Sequence, residues 1–156
     1  MFTIREDDLS SEQTRRLLAL HLAGMQANSP AESVFALDLT ALQDPRVTVW
    51  SAWHGDTIAS IGAIKALGDG TAEVKSMRTA PEFERRGAAA QILETIIDEA
   101  RSRGYRGLYL ETGSGSSFEP ALALYRKRGF ANCGVFSDYE ASDFNQFLHL
   151  DIESAG

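Results

Sequence analysis

Cysteine is almost missing from this chain. Cys133 stands alone among 156 residues, so no disulfide can close within it. That usage fits a reducing compartment, and a cytoplasmic location is expected. Basic residues are also scarce: 15 Lys and Arg against 22 Asp and Glu leave a net charge of −7. A general nucleic-acid or anionic-membrane binder needs a positive field, so neither partner is expected. No apolar run approaches the roughly 18–20 residues of a spanning helix. Met1–Asp8 is poor in apolar residues and soon acidic, unlike a signal or transit peptide. No grouping of histidine, cysteine and carboxylate has metal-ligand spacing, and no metal is expected.

Apolar residues make up 44% of the chain, enough to build a core. The length suits one domain, 1–156, with no internal repeat or long linker. Phe2–Arg5 alternates and reads as a strand. Ser10-Ser11-Glu12-Gln13 resembles a capping box, followed by Leu17, Leu18, Leu22 and Met25 at helical spacing. Asn28-Ser29-Pro30 stops that helix, and a shorter one is expected over Ala31–Leu42. Val47–Trp53, Thr57–Ala66 and Thr71–Thr79 read as a three-strand meander, turning at Gly55-Asp56 and Gly68-Asp69-Gly70. Ile92, Leu93, Ile96, Ile97 and Ala100 form the stripe of a long helix that ends at Gly104. Leu108–Glu111 is a short buried strand, Pro120–Arg128 a helix stopped by Gly129, and Phe130–Val135 and Asn145–Ile152 the last strands. The order is an antiparallel meander running into a β-α-β crossover. It predicts an α/β fold with helices on both faces of the sheet.

The stretch Arg85-Arg86-Gly87-Ala88-Ala89-Ala90 lies between the third meander strand and the long helix. Small residues there let a ligand approach the backbone. The first helix amides lack partners and the helix dipole favours an anion. Arg85 and Arg86 add full positive charge. By itself this pattern fits an anion site and a basic helix cap equally well.

Glu84-Arg85-Arg86-Gly87-Ala88-Ala89 resembles the Arg/Gln-x-x-Gly-x-Gly/Ala pyrophosphate motif of the GNAT superfamily of acyl-CoA N-acyltransferases, with Glu84 at the position of the family's Arg or Gln. Ala121, Leu124, Tyr125, Gly129 and Phe130 match that family's Ala-x-x-Leu-Tyr-x-x-x-Gly-Phe, with Phe118 where an asparagine is common. The segment from Cys133 to Phe147 resembles a bacterial subgroup of small acetyltransferases. The resemblance implies a mixed, mostly antiparallel sheet with a central, splayed parallel strand pair. It implies transfer of an acetyl group from acetyl-CoA to an amine of a small acceptor, and a homodimer as one possible assembly. A non-catalytic acyl-CoA sensor on the same fold is the alternative.

Within that resemblance the pyrophosphate lies at Arg85, Arg86, Gly87, Ala88, Ala89 and Ala90. The pantetheine arm pairs with backbone groups of Met77 and Thr79, and a backbone N–H from that stretch polarises the thioester. Glu73 stands where several family members carry a catalytic glutamate. Alternation puts Glu73, Lys75, Met77 and Thr79 on one face. A cation beside a carboxylate weakens it as a base, so Glu73 reads equally as a base and as the partner of Lys75. Tyr125 matches the tyrosine that protonates the departing thiolate. Cys133 is expected to be a small buried hydrophobe. His21 reads as a core or boundary residue, His54 as solvated, and His149 as a last-strand residue with no suitable partners in sequence for a functional role. The acidic balance mildly favours a cationic acceptor through steering.

Overall fold

The β2 (Val47–His54) and β3 (Thr57–Ala66) strands show why the meander forms. β2 is rich in β-branched and aromatic residues and β3 in isoleucine, and Gly55 turns the chain at φ 60, so that His54 faces Thr57 across the hairpin. Most of β3 is buried, including Ile61 and Ile64 at 0% exposure. The computed structural model describes residues 2–25, 41–112, 119–136 and 146–152. It divides into two compact units, Met1–Lys65 with Ser76–Ile96, and Ala66–Lys75 with Ile97–Gly156.

In the first unit β1 (Thr3–Glu6) pairs antiparallel with β2, and β2 with β3. The strand order continues β1-β2-β3-β4, where β4 spans Thr71–Thr79. Helix α1 (Glu12–Met25) buries Leu17 and Leu18 as its spacing requires. Its cap differs from the expected box. Ser11 is the N-cap, since its carbonyl accepts from Arg15 N and its hydroxyl from Thr14 N. Ser10 bonds Asp8 instead, and Gln13 clamps the β2–β3 turn by donating to Asp56 O and accepting from Ile58 N. Asp7 ties the corner down: its carboxylate accepts from Leu9 N, Thr14 Oγ1 and Ser51 Oγ. The stop at Asn28-Ser29-Pro30 and nearly all of the second helix expected over Ala31–Leu42 lie outside the described residues.

Helix α2 (Ala88–Ser102) carries the expected stripe: Ile92, Leu93, Ile96 and Ala100 are wholly buried and Ile97 nearly so. A β-carbon at Gly62 would come within 2.5 Å of Met77 Sδ and 2.6 Å of Ile92 Cγ2. Only glycine therefore lets β3 approach Met77 and the start of α2 this closely. Gly104, at φ 81, ends α2, and Tyr105 N reaches back to Ala100 O.

In the second unit Thr71–Val74 of β4 runs parallel to Gly107–Leu110 of β5 (Gly107–Thr112). The parallel register stops there, although both strands run on. β5 pairs antiparallel with β7 (Gln146–Asp151), and β7 with β6 (Ala131–Asn132). The sheet is thus mixed and mostly antiparallel with one parallel pair, as expected. The strand expected over Phe130–Val135 shrinks to two residues. Cys133 N still reaches Phe147 O, but Val135 is 46% exposed. Helix α3 (Glu119–Lys127) buries Leu122 and Tyr125. Gly129 ends it at φ 104, with Phe130 N bonded to Tyr125 O.

Candidate active site

The first unit holds the residues expected to receive a phosphate. A single 3-10 turn, Pro81–Phe83, follows β4, and Ala80 N is fastened to Ala59 O on β3. Phe83 is 7% exposed and anchors the turn in the core. Arg86 lies over its ring at 5.6 Å, which restrains a guanidinium that otherwise faces solvent. The backbone then passes through the left-handed region twice, at Arg85 (φ 64) and Gly87 (φ 90). A non-glycine residue there is strained, and such strain is held where the local backbone geometry is used. Gln91 N bonds Gly87 O, so Gly87 is the helix cap. The amides of Ala88, Ala89 and Ala90 are first-turn donors with no intrahelical acceptor. A β-carbon at Gly87 would meet nothing within 4 Å, so open space lies over the cap. Glu84 is exposed at the outer end of the turn.

Just upstream, the backbone of Met77–Thr79 is held in place. Ser60 Oγ donates to Arg78 O at 2.8 Å and lies 3.1 Å from Thr79 Oγ1. Met77 faces the start of α2 through Gly62. Arg78 between them went unnoticed in the sequence. Its Nε is the one buried side-chain nitrogen or oxygen without a hydrogen-bond partner among the described residues. A lone arginine inside a strand of otherwise ordinary composition gave no signal beyond its position.

The second unit holds the two proposed catalytic side chains. Glu73 is 3% exposed, and Lys75 Nζ lies 3.8 Å from its Oε2. The ion pair foreseen from alternation is present, and it is buried on the carboxylate side. Tyr125 is 5% exposed, and burial holds its phenol well above the ordinary tyrosine value. It stays neutral throughout the physiological range. Its ring lies edge-on to Phe130 at 5.6 Å, and its carbonyl accepts from both Arg128 N and Phe130 N. The helix end therefore fixes the tyrosine backbone.

The remaining expectations divide. His149 packs against Tyr109, with ring centroids 4.6 Å apart and the planes tilted by 42°. His54 is exposed as expected, yet it also packs 5.7 Å from Phe83. The His21 side chain and Phe118 lie outside the described residues. Cys133 is half-buried rather than buried, its thiol bonded to Gly134 O, and burial pushes its pKa up. Among the described residues, no three His, Cys, Asp or Glu side chains group to hold a metal, and no helix is long and apolar enough to cross a membrane.

A mixed, mostly antiparallel sheet with one parallel pair is the arrangement of the acyl-CoA N-acyltransferase fold, shared by the acyl-CoA N-acyltransferase of Klebsiella pneumoniae at a TM-score of 0.81 and 24% identity over 97% of this chain and 98% of that one. Residues 13–130 match the model of the acetyltransferase (GNAT) family. The chain is 46% identical over 152 residues to the uncharacterized N-acetyltransferase YedL of Escherichia coli, covering 97% of this chain and 96% of that one. It is 49% identical over 145 residues to the uncharacterized N-acetyltransferase YsnE of Bacillus subtilis, covering 93% and 96%. A Bacillus subtilis acetyltransferase solved in complex with CoA shares the fold, with a TM-score of 0.72 at 19% identity over 97% of this chain and 99% of that one. The chain belongs to the GNAT acetyltransferase family.

Proposed function

We propose that the chain is one catalytic domain, 1–156, that moves an acetyl group from acetyl-CoA to an amine of a small acceptor by direct attack. The observation that carries this reading is the doubly left-handed turn at Arg85 and Gly87, which makes Gly87 the cap of α2 and leaves the amides of Ala88–Ala90 without intrahelical acceptors next in sequence to two exposed arginines. Arg85, Arg86, Gly87, Ala88, Ala89 and Ala90 hold the pyrophosphate, and backbone groups of Met77 and Thr79 pair with the pantetheine arm. The restraint of that backbone by Ser60 supports the second assignment.

In the reaction, the acceptor nitrogen attacks the thioester carbonyl carbon. A backbone N–H of the Met77–Thr79 stretch stabilises the oxyanion. The carbon–sulfur bond then breaks as Tyr125 passes its proton to the departing sulfur, and the proton taken from the amine returns through water to the phenolate. Glu73 receives the proton lost by the amine, through water. Its burial supports a role beyond that of a surface ion pair. No step uses a metal. A cytoplasmic setting and assembly as a homodimer complete the proposal.

Thiol release from acetyl-CoA with a panel of amines, followed by the mass of the product, tests the activity. A product heavier by one acetyl group supports it. Tight acetyl-CoA binding with no turnover across the panel would instead make the chain a sensor.

A further inference from the structure

β5 carries two polar side chains that the proposed mechanism does not use, Tyr109 and Glu111. The pairing of the strands fixes the face they share. Tyr109 is the register partner of Glu73 on β4 and of His149 on β7. Neighbours across a ladder point to the same face of a sheet, so Glu73, Tyr109 and His149 form one row. The register with β7 runs on unbroken to Glu111 opposite Phe147. Alternation therefore returns Glu111 to the face of Glu73. One strand across and two residues along, its backbone lies roughly 8 Å from that of Glu73 by strand geometry.

This face is the one that water reaches. On the other face Leu108, Leu110 and Leu148 are at most 2% exposed, and a β-carbon at Gly129, which ends α3, would lie 3.2 Å from Leu150 Cδ1. Tyr109, Glu111 and His149 are only half-buried. The Tyr109 hydroxyl and the His149 ring nitrogens make no hydrogen bond among the described residues, and none of them is sealed from solvent as Arg78 Nε is. The chemistry of the face favours one sign of ligand. Glu111 is a carboxylate, Asp151 farther along β7 is another, and the phenol and imidazole offer lone pairs. The rings of Tyr109 and Phe136, 5.0 Å apart, add π-faces that attract a cation. The cation that these strands place on the face is Lys75, and it already pairs with Glu73. An anionic group arriving here would meet carboxylates, whereas an ammonium would meet several acceptors.

From this we infer that Glu111 is a specificity-determining residue that binds a second ammonium on the acceptor, so that the acceptor class is a short diamine or polyamine. This rests on the acyl-transfer reading and narrows it. One nitrogen loses its proton toward Glu73 and attacks the thioester, while the other stays charged at Glu111. The gap between the two carboxylate positions is one that a short alkyl chain spans. A half-buried carboxylate strengthens its contact with an ammonium, because the local dielectric is lower than that of water. The net charge of −7 works in the same direction by drawing cations toward the chain.

The test uses the full chain, wild type, Glu111→Gln and Glu111→Asp. Each is assayed by thiol release from acetyl-CoA with putrescine, cadaverine and spermidine, with butylamine and pentylamine as matched monoamines, and with the ω-amino acids of the same length. Each is also titrated calorimetrically with acetyl-CoA. Wild type should prefer diamines over monoamines by roughly ten- to hundredfold in kcat/KM, the range of a charge-assisted hydrogen bond. The preference should reside in KM. Glu111→Gln should abolish it, Glu111→Asp should restore part of it, and acetyl-CoA affinity should stay unchanged in both. The inference falls if monoamines or amino acids are the better substrates, or if Glu111→Gln keeps the diamine preference. It falls equally if Glu111→Gln lowers kcat for monoamines and diamines alike with KM unmoved, because Glu111 then handles a proton. Loss of acetyl-CoA affinity in both variants would also overturn it, since Glu111 then serves the donor. A wild type that does not bind acetyl-CoA would sink the acyl-transfer reading itself, whereas one that binds it and acetylates only singly charged or acidic amines sinks this inference alone.

Discussion

The Glu84–Ala90 turn and the pair Glu73 and Tyr125 bring different parts of the polypeptide to the proposed reaction. The turn offers backbone: amides at a helix start, exposed arginines, and two residues at positive φ. Glu73 and Tyr125 offer side chains, both nearly sealed from water. A backbone cradle depends on conformation and tolerates exchange of the residues around it, which is how Glu84 can stand at a position the family fills with Arg or Gln. A buried acid or base depends on one functional group. Substitutions should therefore hurt chemistry at the second pair and binding at the first.

The largest effect on turnover is expected at Tyr125. Tyr125→Phe keeps the ring against Phe130 but removes the proton donor, and kcat should fall roughly tenfold to several hundredfold. Acetyl-CoA affinity should hold. The variant also has a signature in stability. Because burial raises the phenol pKa in the folded state, Tyr125 contributes stability that is fully present below the ordinary tyrosine value of about 10 and is lost as pH climbs toward the raised one. Chemical denaturation across that alkaline window should show a decline in wild type that is shallower in Tyr125→Phe. Survival of kcat in the variant would make the tyrosine a packing residue.

Glu73→Gln comes next. If Glu73 is the base, turnover should fall most below the pKa of the amine and the defect should shrink as pH rises toward 9. Burial changes what the alternative implies. A surface ion pair would cost at most about 1 kcal/mol, whereas loss of charge at a buried carboxylate beside Lys75 should cost about 1–3 kcal/mol. Glu73→Gln combined with Lys75→Met separates the two roles. Recovery of stability without recovery of turnover supports a base, and recovery of both leaves only a structural ion pair.

The smallest effect sharpens the backbone side of the contrast. Glu84→Arg exchanges a repulsive charge at the outer end of the turn for an attractive one. Acetyl-CoA affinity should rise about two- to fivefold, the worth of one exposed charge near a helix N-terminus. An increase far beyond that would show that side chains, and not the amides, dominate the anion site.

The sequence disclosed those parts of the molecule that local rules govern. Gly55, Gly104 and Gly129 marked a hairpin and two helix ends because positive φ is a demand the chain makes at single residues. The stripe from Ile92 to Ala100 marked α2 because its period is helical, and Gly87 marked the turn before it. Hidden were features set by distant segments. Ser11 rather than Ser10 caps α1 because Asp8 holds Ser10 and the hairpin turn claims Gln13. β6 stops at Asn132, and Val135 beyond it is exposed. The family resemblance singled out Glu73, but its burial arises from neighbours that periodicity does not name. Arg78 was illegible for the same reason: its Nε shows as an unmet donor only against the acceptors that folding places around it among the described residues.

Calorimetric titration of CoA into wild type, Gly87→Ala and Gly87→Glu tests the central claim most directly. Both substitutions strain the same backbone, since Gly87 sits at φ 90, and neither β-carbon meets another atom within 4 Å. Only glutamate adds a negative charge over the amides of Ala88–Ala90. With melting temperatures showing both variants folded, Gly87→Glu should bind CoA roughly a hundredfold more weakly than wild type, with Gly87→Ala in between. Equal affinity in all three proteins would contradict the account and remove the pyrophosphate from this turn.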